Sequence, residues 1–191
     1  MLASSLRSTS LAEAQARAAK LKLMVFDVDG VLTDGSLFYT DEGVQLKAFN
    51  STDGLGLRLL QNNSLTLAVI SGRQVASVDV RMQSLGIEHV FQGTSDKLAV
   101  LQSLLVRLGL NAEQAGFMGD DLIDLRVMAA CGFSAMPVDG HARLLPYADW
   151  VSSKAGGRGA VREACEFILA AQGKLDAVLA SFLPSPTPVA P

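Results

Sequence analysis

The stretch Leu21-Lys-Leu-Met-Val-Phe-Asp27-Val-Asp29-Gly-Val-Leu-Thr-Asp34-Gly35 decides how the rest of the chain is read. Its first six residues are almost unbroken apolar sequence, the pattern of a strand covered on both faces. The run then gives way to acidic residues and glycines. Residues two apart on extended backbone point to the same side, so Asp27 and Asp29 can converge just beyond the strand. Neighbouring carboxylates repel unless a cation or a proton joins them. The oxygen-only character of the pair suits Mg²⁺, which takes one or two carboxylates and keeps several waters.

Outward from this stretch the same rhythm repeats. Residues 65–70, 115–118 and 133–136 read as further buried strands and 150–151 as a short fifth, while helical spacing marks 54–61, 75–85, 97–108, 122–130 and 159–172. Apolar strands alternating with amphipathic helices predict an α/β fold, a Rossmann-like parallel sheet flanked by helices. One segment departs from the rhythm. Leu37-Phe-Tyr-Thr40, Asp41-Glu-Gly43 and Val44-Gln-Leu-Lys-Ala-Phe49 read together as a projecting β-hairpin over 36–49, turned at the glycine.

The composition bounds the function. The chain has 191 residues, of which 49% are hydrophobic and 18% charged, which excludes a disordered chain. Sixteen Lys and Arg against nineteen Asp and Glu give a net charge of −3, so no bulk positive charge is available for nucleic acid. No apolar run approaches the roughly 18 residues of a membrane-spanning helix. Cys131 and Cys165 are too few for a disulfide scaffold, and reducing cytoplasm is the expected setting. Residues 1–20 resemble a presequence in their Ser, Ala and Arg content, but Ser10-Leu-Ala-Glu13 reads as a capping box opening a short helix behind a frayed lead. The main domain is expected over 21–177 and a tail over 178–191, ending in Ser185-Pro-Thr-Pro-Val-Ala-Pro191, which can form neither helix nor sheet.

Open parallel sheets place their chemistry at the carboxyl ends of the strands. After the second expected strand comes Ser71-Gly-Arg73, a hydroxyl and a row of N–H groups at a helix start, where anions bind well. Lys97 opens a later helix, and Gly119-Asp120-Asp121-Leu-Ile-Asp124 follows the third strand. Singly, these could be a helix cap, a surface charge and a dipole-complementing acidic turn. Together they put a nucleophile, phosphate holders and metal ligands at the ends of strands. His89 and His141 show no metal-ligand spacing.

The order Asp-x-Asp, Ser, Lys, Gly-Asp-Asp-x-x-Asp resembles the haloacid dehalogenase superfamily of phosphohydrolases, with all four of its motifs present. Lys47-Ala-Phe-Asn50, Asp53-Gly-Leu-Gly56 and Ala155-Gly-Gly-Arg-Gly-Ala-Val-Arg-Glu163 extend the resemblance to its capless sugar-acid phosphatases, from Leu21 to Asp176. The resemblance implies a Mg²⁺-dependent phosphomonoester hydrolase working through an aspartyl-phosphate. Asp27 would be the nucleophile and Asp29 the acid/base, with Ser71 and Lys97 holding the phosphoryl oxygens. The metal would sit on Asp27, the main-chain carbonyl of Asp29 and Asp120, with Asp121 acting through water. Asp124 would orient Lys97.

The implied substrate is an acidic sugar phosphate, 3-deoxy-D-manno-octulosonate 8-phosphate, with an acylneuraminate 9-phosphate as the alternative. Asp29, Asn50, Ser51, Thr52, Asp53, Gly54, Arg58, Arg73, Arg81, Lys97 and Arg158 are the expected substrate contacts. Thr52 departs from the basic residue expected there. The spacing between motifs leaves no room for a cap domain, so the site is expected to be closed by another subunit. The resemblance implies a homotetramer joined through the hairpin, with Arg158, on a flexible glycine loop, or the tail reaching a neighbouring site. The rival from another class is a phosphoaspartate signalling module, which also combines Asp, Mg²⁺, a hydroxyl and a Lys on a parallel sheet.

Overall fold

In the computed structural model, residues 9–183 are described. Six strands form one parallel sheet: β1 (Leu23–Phe26), β4 (Thr66–Ile70), β5 (His89–Phe91), β6 (Ala115–Met118), β7 (Phe133–Met136) and β8 (Trp150–Val151), in the order β5-β4-β1-β6-β7-β8. From β1 the chain winds outward through β4 to β5, then returns to β6 on the other side of β1. The carboxyl end of β1 therefore lies where the winding reverses, the place where open α/β sheets bind ligands.

Alternation along each strand divides the core in two. Met24, Phe26, Leu67, Val69 and Phe133 face α1 (Leu11–Ala18), α2 (Ser51–Asn62), α3 (Ala76–Leu85) and α6 (Ala160–Ala171). Leu23, Val25, Ala68, Ile70 and Phe117 face α4 (Lys97–Leu108) and α5 (Leu125–Ala130). Both faces of the sheet are covered, which is why its strands read as continuous apolar runs.

The capping box at Ser10 and Glu13 is present and opens α1, whose Ala14 and Ala18 are buried against the core. The lead is thus part of the domain from Leu11 onward. Several features depart from the expectations. β5 is a strand that the sequence pattern did not mark, since Glu88-His89-Val-Phe-Gln92 lacks a continuous apolar run. The helix expected over 122–130 splits into a single 3₁₀ turn, Leu122–Asp124, followed by α5. A further helix, α7 (Leu175–Ala180), buries Val178 in the core, so folded structure continues past the boundary expected at 177. The Pro-rich segment 185–191 lies outside the described residues.

The hairpin is shorter than expected. Only β2 (Phe38–Tyr39) and β3 (Gln45–Leu46) pair, as an antiparallel ribbon separate from the main sheet.

Candidate active site

Asp27 is the first residue beyond β1, and its N–H donates to the Met118 carbonyl on β6 (3.0 Å). The next residues make one irregular turn, Val28–Leu32, with Gly30 at a φ of 75°. A Cβ on Gly30 would overlap the Asp120 carboxylate, so glycine here lets the loop after β6 close on the loop after β1.

Three carboxylates converge at this point. One oxygen from each of Asp27, Asp120 and Asp124 lies within 4.8 Å of the others. Lys97, the first residue of α4, reaches in with a nearly enclosed side chain and pairs with Asp27 Oδ2 (2.9 Å) and Asp124 Oδ1 (2.6 Å). Asp124 is fully buried, and its other oxygen accepts the N–H groups of Asp120 (3.0 Å) and Asp121 (3.3 Å). Asp124 therefore bonds both Lys97 and the acidic loop.

The electrostatics are unbalanced. Burial, reinforced by Asp124, pushes Asp27 up to about 6 despite Lys97 beside it. Burial and the negative charges of Asp27, Asp124 and Asp121 push Asp120 up to about 8. Burial alone would lower Lys97, but Asp27 and Asp124 outweigh it and hold the ammonium above its ordinary value. Closely packed carboxylates of this kind are relieved by a cation. The donors are all oxygens, and the room left by Gly30 brings Asp120 to Asp27, so the residues fit Mg²⁺ held by Asp27 and Asp120. Asp121 lies outside this cluster; its carboxylate caps the Leu122–Asp124 turn through the Leu122 N–H (2.7 Å). That is the dipole-complementing alternative weighed for the acidic turn.

Asp29 is not one of the three clustered carboxylates. It pairs with Lys47, whose side chain is completely enclosed, and lies 3.7 Å from Arg73 Nε at its other oxygen. Any part it takes in metal binding rests on its main-chain oxygen. Ser71 lies just past the end of β4, is buried, and accepts the Arg73 N–H at its hydroxyl (3.3 Å). The register pairs Phe26 with Val69, which brings Ser71 alongside the Asp27 loop.

The expected substrate contacts divide. Asn50 caps α2, accepting from the Thr52 N–H (2.8 Å) and hydroxyl (2.7 Å), and donates to the Gly157 carbonyl (3.2 Å). Ser51 and Asn50 line a cavity of about 280 Å³ with Asp34, Phe49, Gly157 and Arg158. Arg81 donates to the Asn50 carbonyl (3.3 Å), and Gly54 leaves the space its guanidinium occupies. Asp53 is buried and accepts the N–H groups of Arg162 (2.8 Å) and Gly159 (3.3 Å), so it caps the start of α6. Arg58 donates to the Ser84 carbonyl (2.7 Å) near the far end of α3, away from the strand ends that carry the cluster. Arg158 is exposed and pairs with Asp34 of its own chain (2.7 Å).

The glycine loop is fastened rather than free. Gly157 donates to the Val31 carbonyl (2.8 Å), Gly156 donates to Asp139 (3.0 Å), and a Cβ on Gly156 would overlap the Gly30 carbonyl. Its glycines are there for close backbone packing against the Asp27–Gly35 turn. Lys47 is the residue that sequence reasoning left without a role. It stood inside a quoted motif, and the strand alternation that turns it inward was the available signal.

No protein-family model matches the chain. The curated 3-deoxy-D-manno-octulosonate 8-phosphate phosphatase KdsC of Escherichia coli K12 is 46% identical over 165 residues, covering 86% of this chain and 88% of that protein. The crystal structure of a 3-deoxy-D-manno-octulosonate 8-phosphate phosphatase from Moraxella catarrhalis, in complex with magnesium ion, phosphate ion and a KDO molecule, superposes with a TM-score of 0.89 at 42% identity, covering 91% of this chain and 100% of that one. A HAD-superfamily (subfamily III A) hydrolase structure from Legionella pneumophila superposes with a TM-score of 0.86 at 40% identity, covering 90% of this chain and 94% of that one. With its acidic cluster at the switch point of the sheet and relatives of this identity along most of its length, the chain belongs to the KdsC family of the haloacid dehalogenase superfamily.

Proposed function

We propose that the protein hydrolyses 3-deoxy-D-manno-octulosonate 8-phosphate to the free sugar acid and phosphate, a step in lipopolysaccharide precursor synthesis. The observation that carries the reading is the Asp27–Lys97–Asp124–Asp120 cluster at the carboxyl end of β1, next to an Asp29 that stands apart from it.

Asp27 attacks phosphorus in line with the ester oxygen, and the bond to the sugar breaks. Holding the carboxylate in place turns a bimolecular encounter into a positioned one. Ser71 and Lys97 hold the equatorial oxygens, where charge spreads in the transition state. Asp29 gives its proton to the departing 8-oxygen, then takes a proton from the water that cleaves the aspartyl-phosphate. When bound at Asp27 and Asp120, Mg²⁺ supplies positive charge that offsets repulsion between the nucleophile and the phosphate.

The domain of this reading spans 21–177 with the α1 and α7 additions. Its substrate contacts are Asn50, Ser51, Arg73, Arg81 and Arg158, around the two loops that meet at Gly30 and Gly156. The hairpin supports assembly into a homotetramer: Leu37, Phe38, Tyr39, Val44 and Leu46 are all exposed, an apolar surface that self-association would cover. Among the described residues no helix is long and apolar enough to cross a membrane, and both cysteines are buried in a chain too poor in cysteine for a disulfide scaffold, in keeping with a reducing cytoplasm.

Phosphate release from the octulosonate 8-phosphate, an acylneuraminate 9-phosphate and several hexose phosphates, with Mg²⁺ and with EDTA, tests the reading. A Mg²⁺-dependent preference for the octulosonate is expected. Equal rates on all esters would remove the named substrate, and silence on all would remove the phosphatase. Light scattering gives the oligomer mass, and a fully active monomer would remove the tetramer.

A further inference from the structure

The exit strand of the hairpin does more than present apolar surface. Along β3 and beyond it, Val44 and Leu46 face outward at 56% and 49% exposure, whereas the Lys47 side chain is at 0%. An enclosed ammonium needs a partner, and the one it meets is Asp29 Oδ1. Arg73 stands at Oδ2 of the same carboxylate, 3.7 Å away on a side chain that is half exposed. Lys47, the residue after β3, thus holds one Asp29 oxygen, and Arg73 from the loop after β4 stands near the other. The Asp29 side chain keeps 25% exposure.

An enclosed Lys47 cannot reach a substrate, so its effect must pass through Asp29. We infer that Lys47 is a positioning residue that aims the Asp29 carboxyl at the departing ester oxygen and, in the second half-reaction, at the attacking water. The inference rests on the phosphatase reading above. In the first half, the phosphorus–oxygen ester bond breaks as Asp27 bonds to phosphorus, and the Asp29 proton passes to the sugar oxygen. In the second, water bonds to phosphorus, the Asp27–phosphate bond breaks, and the water proton returns to Asp29. A misaimed Asp29 slows both, but a leaving group that departs as a stable anion needs no proton in the first half. The hairpin then links any assembly it makes directly to the acid/base group.

The test compares wild type, Lys47→Met and Lys47→Arg on the octulosonate 8-phosphate and on p-nitrophenyl phosphate, with thermal transitions confirming folding. Lys47→Gln replaces the methionine variant if that one does not fold. Lys47→Met is expected to lose about 10²-fold in kcat on the sugar phosphate with KM within about threefold, the size of a general acid–base contribution. On p-nitrophenyl phosphate its rapid first release of nitrophenolate is expected to stay within about threefold of wild type, followed by slow turnover. Lys47→Arg is expected to recover about tenfold of the lost kcat, since it keeps the charge. An equal loss in the nitrophenolate burst would reduce Lys47 to a structural role and overturn the inference. So would an unchanged kcat, or a raised KM with kcat intact. If wild type prefers another alkyl phosphate, the named substrate falls while the same comparison on that ester still decides Lys47. If wild type cleaves no phosphomonoester, both fall together.

Discussion

The two ends of the parallel sheet bury carboxylates in opposite ways. At the amino end, Asp149 has a side chain at 0% exposure and is fully provided for. Arg17 lies 3.1 Å from Oδ1, Thr9 donates to that oxygen (3.0 Å), and Ser134 donates to Oδ2 from its N–H (2.8 Å) and its hydroxyl (3.1 Å). At the carboxyl end, Asp27 and Asp124 share the ammonium of Lys97, and Asp120 adds a third carboxylate oxygen within 4.8 Å of theirs. A buried charge that serves the fold is balanced at once, because an uncompensated one costs several kcal/mol. The site end keeps an excess of negative charge, which a divalent cation relieves. The lesson is to look for the imbalance, not for burial alone.

The strongest way to break this contrast is Asp27→Asn. It should lower kcat by about 10⁴-fold or more while the fold persists, since the change removes a nucleophile and a repelling charge together. Steady-state kinetics and a thermal melt on one preparation check it; a lowered melting point with activity retained would reverse the roles of the two ends. The mirror experiment is Asp149→Ala. Removing the acceptor of the Ser134 N–H, the Thr9 hydroxyl and Arg17 should cost about 3 kcal/mol in denaturant unfolding, with kcat per folded molecule unchanged.

The excess of negative charge at the carboxyl end also makes stability depend on pH. Asp27 and Asp120 are raised in the folded state to about 6 and about 8 from an ordinary 3.8. Between the unfolded and folded values the native protein holds more protons, so stability falls as pH climbs through those folded values. In EDTA the melting point should therefore drop from about pH 5 to pH 9, whereas Mg²⁺ near 100 times its Kd should restore about 2–3 kcal/mol, most at the alkaline end. Asp120→Asn should flatten both trends. A melting curve independent of pH and Mg²⁺ would mean that the carboxyl end is balanced after all. The smallest effect is expected at Arg58, whose exposed bond to Ser84 lies on neither end: Arg58→Ala should cost about 1 kcal/mol or less and leave KM unchanged.

Much of this was legible in the sequence because strong local patterns agree with the global fold. Phe26-Asp27-Val-Asp29 announces a buried strand meeting a charged turn, and α4 opens and closes at the residues its pattern names, Lys97 and Leu108. β5 was missed because its three residues are only half-buried at a sheet edge and so carry no apolar run. Asp53 and Arg58 carried the right chemistry for a substrate, yet one caps a distant helix and the other bonds a distant carbonyl. A partner 109 positions away for Asp53 and 26 for Arg58 leaves no mark in a side chain's own neighbourhood.

The strand–helix alternation, the acidic turn after the first strand, and the order of Asp27, Asp29, Ser71, Lys97 and Asp120 are already written along the chain. These follow from residue spacing, which backbone geometry converts directly into direction. Tertiary packing was needed to set Asp124 against the N–H groups of the acidic loop, one Asp121 oxygen on the Leu122 N–H, the glycine loop against the Asp27–Gly35 turn, and Lys47 against Asp29. Those choices depend on which strands become neighbours, and parallel pairing joins residues far apart in sequence. Contacts made across a sheet are properties of its order, and its order is set by how all its apolar faces are buried together.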